Sequence, residues 1–185
     1  IPAELRNLDQ WVMWRREQPA GKKKPTKVPR TPTGALAKST DPATWCSFAT
    51  ALAAAGRFDG LGFCFSEHDP YTGCDFDAKE GEALTAAHWA AINALSSYSE
   101  RSQSGRGIHV ITKAKLPGPG QNVRKLGMEI YDRGRFFVMT GDTVDGLPTT
   151  IEERQTETAA HYQMLWDAKN AGKPDVTPPP AAAPV

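Results

Sequence analysis

TGCDFDAKEG, residues 72–81, sets two acids one residue apart in a run that is otherwise apolar at its start. Successive side chains of a strand point to opposite faces, so a strand here turns Cys74 and Phe76 into a core and sends Asp75 and Asp77 out together. Two carboxylates on one open face raise each other's pKa and cost stability unless a divalent cation lies between their oxygens. The pair therefore points to a metal site, against the plainer reading of a strand end with both acids in water.

Such a site needs a third acid. In KLGMEIYDRGRFFVMTG, residues 125–141, Glu129 and Tyr131 share one strand face while Met128 and Ile130 form the buried one. Asp132 competes with Glu129, but it stands beside Arg133 and Gly134, where an acid is ordinary turn chemistry, and a group borne on a strand is the better held. Arg135 opens the strand that follows. Its guanidinium suits a two-point grip on a triphosphate or a template phosphate, or else an ion pair with Asp132 or Glu129.

The run SERSQSGRGIHVITK, residues 99–113, supplies phosphate chemistry. Gly105 and Gly107 let backbone amides approach a phosphate, Ser104 and Arg106 add side-chain donors, and His109 projects from the strand beside them. A lone strand histidine is usually structural, but the glycine-rich approach and the basic surroundings favour nucleotide contact here. The glycines lead into a strand rather than a helix and the G-x-x-x-x-G-K-S/T pattern is absent, which excludes a Walker-type ATPase.

At 185 residues and 39% hydrophobic content, the chain can build one well-buried core or two small lobes around a cleft. A net charge of +1 hides basic stretches: residues 1–30 hold Arg6, Arg15, Arg16, Lys22, Lys23, Lys24, Lys27 and Arg30 against Glu4, Asp9 and Glu17, and residues 101–135 are also basic. Phosphate is the implied partner, with Lys24, Lys27 and Arg30 as candidates to hold it; solvated loop lysines are the plain alternative for Lys22 to Lys24. Cys46, Cys64 and Cys74 read as reduced core thiols, and a zinc site from Cys64, His68 and Cys74 matches no common spacing. No apolar run approaches the roughly 20 residues that span a bilayer and no secretory signal opens the chain, so no membrane partner and a cytoplasmic location are expected.

Periodicity predicts helices over 41–55, 85–97 and from 150 to about 169, and strands over 11–15, 61–65, 73–77, 108–113, 128–131 and 136–140. Strands interleaved with helices in this order give an α+β fold, with the helices on one face of the sheet. GKPDVTPPPAAAPV, residues 172–185, is too rich in Pro and Ala to bury a core. The folded part is thus expected to end near 170, residues 171–185 being a linker to C-terminal helicase or DNA-binding modules.

In order and spacing the runs NLDQWVMW, KPTKVPRTPTG, STDPATW, FDGLGFCFSEHDPYTGCDFD, SGRGIH and GMEIYDRGRFFVMTG resemble the phage and plasmid primase-polymerases of the archaeo-eukaryotic primase superfamily, over most of residues 1–155. That resemblance implies an RRM-like catalytic sheet combined with a smaller N-terminal α/β subdomain around a cleft. It implies Asp75, Asp77 and Glu129 as acids for Mg²⁺ or Mn²⁺, and His109, with Ser104 nearby, on the phosphates of the incoming nucleotide. Many relatives have Asp where this chain has Glu129, which keeps the charge and changes the reach. The expected activity is template-directed nucleotidyl transfer by two metal ions, with single-stranded DNA template, primer-template and NTP or dNTP as partners. Ser104, Gly105, Arg106, His109, Arg135 and Lys27 form the expected nucleotide-binding set. A metal-dependent nuclease and a non-catalytic single-strand binder are the alternatives.

Overall fold

A computed structural model describes residues 1–18, 21, 24–173 and 179–180. Lys22, Lys23 and most of the expected linker lie outside the described residues. The elements in chain order are α1 (Ala3–Arg6), β1 (Trp11–Glu17), β2 (Thr26–Arg30), α2 (Phe48–Ala54), β3 (Gly60–Cys64), β4 (Tyr71–Asp77), α3 (Ala86–Leu95), β5 (Tyr98–Arg101), β6 (Gly107–Lys113), β7 (Gln121–Val123), β8 (Met128–Tyr131), β9 (Phe136–Met139) and α4 (Gln155–Asn170). This is an α+β fold with two antiparallel sheets. Among the described residues no helix is long and apolar enough to cross a membrane.

The chain divides into two compact units, Ile1–Phe65 with Gly134–Thr140, and Ser66–Arg133 with Gly141–Val185. The first is built on a four-stranded sheet of order β2-β1-β3-β9. Aromatic edges fill its core: Trp11 meets Phe48 and Phe63 at 4.8 and 5.4 Å between ring centres, and Phe65 meets Phe137 at 5.1 Å. The buried indole N–H of Trp11 donates to the carbonyl of Leu5, so this large side chain leaves no polar atom unsatisfied.

The second unit carries the five-stranded sheet β5-β6-β4-β8-β7. One face of this sheet presents Cys74, Phe76, Ile108, Val110, Met128 and Ile130, which are packed with Ile92 and Leu95 of α3 and Tyr162 and Leu165 of α4. Helix α3 starts in a capping box, in which Thr85 Oγ1 accepts from His88 N–H and His88 Nδ1 accepts from Thr85 N–H. Trp89, expected to add apolar bulk to this helix's packing, is 38% exposed.

Several expected boundaries move for tertiary reasons. The predicted 41–55 helix is broken: Asp41 caps a short 3₁₀ turn at Pro42–Thr44, and α2 begins only after Ser47, whose side chain caps Thr50 N–H. Between them Cys46 exchanges two backbone hydrogen bonds with Trp11, which holds it extended. In the same way residues 151–154 run beside β6, where Lys113 N–H donates to Glu152 and Arg154 N–H to Lys113, so α4 starts at Gln155. Three strands go unpredicted, β2, β5 and β7, and β9 pairs with β3 in the first unit instead of joining the acid-bearing sheet.

Candidate active site

In an antiparallel sheet, directly opposed residues project from the same face. Register places Glu100 opposite His109, His109 opposite Asp75, Asp75 opposite Glu129, and Glu129 opposite Asn122. One side chain from every strand of the second sheet therefore forms a row across it, on the face turned away from α3 and α4. Asp77 stands on the same face as Asp75, at the exposed end of β4.

Along the row burial falls from one end to the middle. Glu100 is fully buried and His109 is 4% exposed, whereas Asp75 and Glu129 are half-buried. His109 Nδ1 lies 3.5 Å from Glu100 Oε1, and its Nε2 lies 3.6 Å from Asp75 Oδ1. At the other end Asn122 Nδ2 donates to Glu129 Oε1.

Asp75, Asp77 and Glu129 line a pocket of 210 Å³ together with Asn122, Lys79 and Arg124. Two close approaches shape it. A Cβ on Gly107 would come 2.5 Å from Asp77 Oδ1, and one on Gly127, whose φ is 64°, would strike the Asp77 carbonyl oxygen, so both neighbours of this strand end must be glycine. As the side chains stand, no three His, Cys, Asp or Glu groups among the described residues are gathered into a ligating cluster.

Asp132, the rival third acid, is fully buried and engaged elsewhere. It accepts from Leu116 N–H and from the Arg133 guanidinium, whose own pKa is raised chiefly by that hydrogen bond and by the charge of Asp132. Glu129, by contrast, stands on the row.

The loop from Ser102 to Gly107 closes the β5-β6 hairpin, with Ser104, Gly105 and Arg106 exposed at its tip. Its amides are engaged within the turn: Gly105 N–H donates to the Ser102 carbonyl, Arg106 N–H to Ser104 Oγ and Gly107 N–H to Ser102 Oγ. The expected cradle of backbone amides is therefore corrected: the glycines serve the turn and the packing of Asp77, and the loop presents side chains.

Lys27 and Arg135 belong to the first unit. Lys27 is exposed, with Nζ 5.7 Å from the Trp14 ring centre, and Arg135 is exposed at the start of β9. Arg30 is committed to an ion pair with Glu17. All three cysteines are free thiols; burial pushes Cys64 up to about 12 and raises Cys46 and Cys74, which suits inert core groups. Sequence reasoning missed Glu100, Asn122 and Arg124, which sit on strands or turns too polar to read as part of a sheet.

No family model matches the chain. Its sequence is 34% identical over 158 residues to a DNA primase-polymerase of Nitratiruptor phage NrS-1, a stretch covering 79% of this chain and 21% of the relative. The chain thus spans about a fifth of the length of that relative. By this similarity, over a stretch long enough to take in most of the fold, the chain is a domain of the phage primase-polymerase kind.

Proposed function

We propose that the row and its pocket form a nucleotidyl-transfer site, joining a nucleotide to a 3′-hydroxyl under the direction of a DNA template, as primase, polymerase or both. The observation that carries this reading is the meeting of Asp75, Asp77 and Glu129 with the cations Lys79 and Arg124 in one pocket. All-oxygen donors suit a hard divalent ion such as Mg²⁺ or Mn²⁺. Asp75, Asp77 and Glu129 would hold two such ions, which when bound lower the pKa of an attacking hydroxyl and stabilise a departing pyrophosphate.

The protein's own groups do the rest. Lys79 and Arg124 neutralise the triphosphate at the pocket wall, and His109, seated beside Asp75, adds a donor to it. Ser104 and Arg106 reach it from the hairpin tip, and Lys27 and Arg135 are the candidates of the first unit for nucleotide or template phosphate. A sheet with helices on one face and its chemistry on the other supports the expected likeness to the RNA-recognition fold. On this reading the substrates are single-stranded DNA template, primer-template and NTP or dNTP, with helicase or DNA-binding modules elsewhere in the polypeptide and the bacterial host cytoplasm as its place of work.

The test is a labelled primer-template incubated with Mg²⁺ or Mn²⁺, with and without each nucleotide type. Extension that requires added nucleotides is the expected result, and the nucleotide that supports it names the substrate. Cleavage without nucleotides would make the site a nuclease, and binding with neither reaction would make it a single-strand binder.

A further inference from the structure

We propose that Glu100 is a positioning residue for this site: it fixes the ring and the tautomer of His109, spending Nδ1–H on its own carboxylate and turning Nε2 towards Asp75 and the phosphates. The observation is a carboxylate with no exposure at the closed end of the row, 3.5 Å from Nδ1 of His109. Burying an acid costs several kcal/mol unless its oxygens are well met. Here one oxygen is met twice, since the Tyr98 hydroxyl donates to Glu100 Oε2 at 2.7 Å and Gly141 N–H donates to it at 2.9 Å. Burial and the neighbouring acid raise the pKa of the Tyr98 phenol, which therefore keeps the proton it donates.

Those two donors would be satisfied equally by a neutral amide. What the carboxylate alone adds is a second acceptor, Oε1, aimed at His109. A buried acid behind an imidazole sets which ring nitrogen carries the proton and which faces the chemistry. The geometry of Glu100 is the geometry of that arrangement, and the register Glu100 to His109 to Asp75 builds it from three adjacent strands.

The amide makes the test sharp. In Glu100→Gln the carbonyl oxygen must stay with Tyr98 and Gly141, so the NH₂ group faces Nδ1, which must then accept, and the proton moves to Nε2. Nitrogen-15 NMR of the imidazole, recorded without metal or nucleotide at alkaline pH where the neutral ring is seen, reads this directly. The expected result is Nδ1–H in the natural chain and Nε2–H in Glu100→Gln, with nucleotide incorporation by the variant reduced on the order of 10²-fold at an unchanged melting temperature. An Nε2–H ring in the natural chain, or the same tautomer in both, overturns the inference, and the first of these decides the matter even if the variant does not fold.

For its consequence, though not for its geometry, the inference rests on the nucleotidyl-transfer reading. The two fail separately: a shared tautomer with active enzyme overturns the role of Glu100 alone. Full incorporation by His109→Ala overturns the role of His109 in the site and, with it, what Glu100 is positioned to serve.

Discussion

Strands β1 and β4 are both interior strands of antiparallel sheets, and they differ in what their second face does. In β1 four successive residues, Trp11, Val12, Met13 and Trp14, are at most 1% exposed, so the strand is covered on both sides. In β4 the alternation is kept: Cys74 and Phe76 are fully buried while Asp75 is half-buried and Asp77 exposed between and beyond them. A strand buried on both faces contributes to stability alone, whereas one that buries a single face can hold acids rigidly against water on the other. The division of labour between the two sheets follows from that difference.

Substitutions can break the comparison from either side. Trp11→Ala removes a side chain wedged between Phe48 and Phe63 and should cost about 3–5 kcal/mol, read as a fall in the denaturant midpoint. Glu129→Ala on the second sheet should instead leave the midpoint nearly unchanged and lower nucleotide incorporation roughly 10²–10³-fold. Asp132→Ala gives the opposite pattern, since it strips the buried partner of Leu116 N–H and Arg133: stability should fall by about 1–3 kcal/mol.

The packed side of the second sheet has its own weakness in acid. His161, buried against Phe76, has its pKa lowered from 6.5 to about 4 by burial. The folded ring stays neutral where the unfolded ring takes up a proton, so stability is complete above about pH 6.5 and declines as the pH falls from there towards 4. The loss should reach roughly 3 kcal/mol, and His161→Leu should flatten that slope in a pH series of urea melts. A smaller effect separates two glycines that share positive φ. Gly127→Ala strikes the Asp77 carbonyl and should lower both stability and incorporation, while Gly105→Ala, with open space around it, should cost only about 1–2 kcal/mol in stability.

Much of this was legible in the chain. The alternation CDFD gives the two faces of β4, and MEIY gives those of β8, because apolar period two is a local property. Partners are not local, which is why β9, apolar and easily found as a strand, could not be assigned to the first sheet. Helix ends at Cys46 and at residues 151–154 were lost for the same reason, since tertiary backbone bonds hold those residues extended. Glu100 was missed because YSER reads as loop. The signal was there nonetheless: if residues 102–106 are taken as a hairpin turn, Glu100 must face His109.

The account turns on the acids of β4. The most direct measurement is incorporation of labelled nucleotide on a primed DNA template, across a titration of Mg²⁺ and of Mn²⁺, by the natural chain and by Asp75→Ala/Asp77→Ala matched for melting temperature. Metal-dependent extension by the first and none by the second is predicted; extension by the double variant at the natural rate would contradict it.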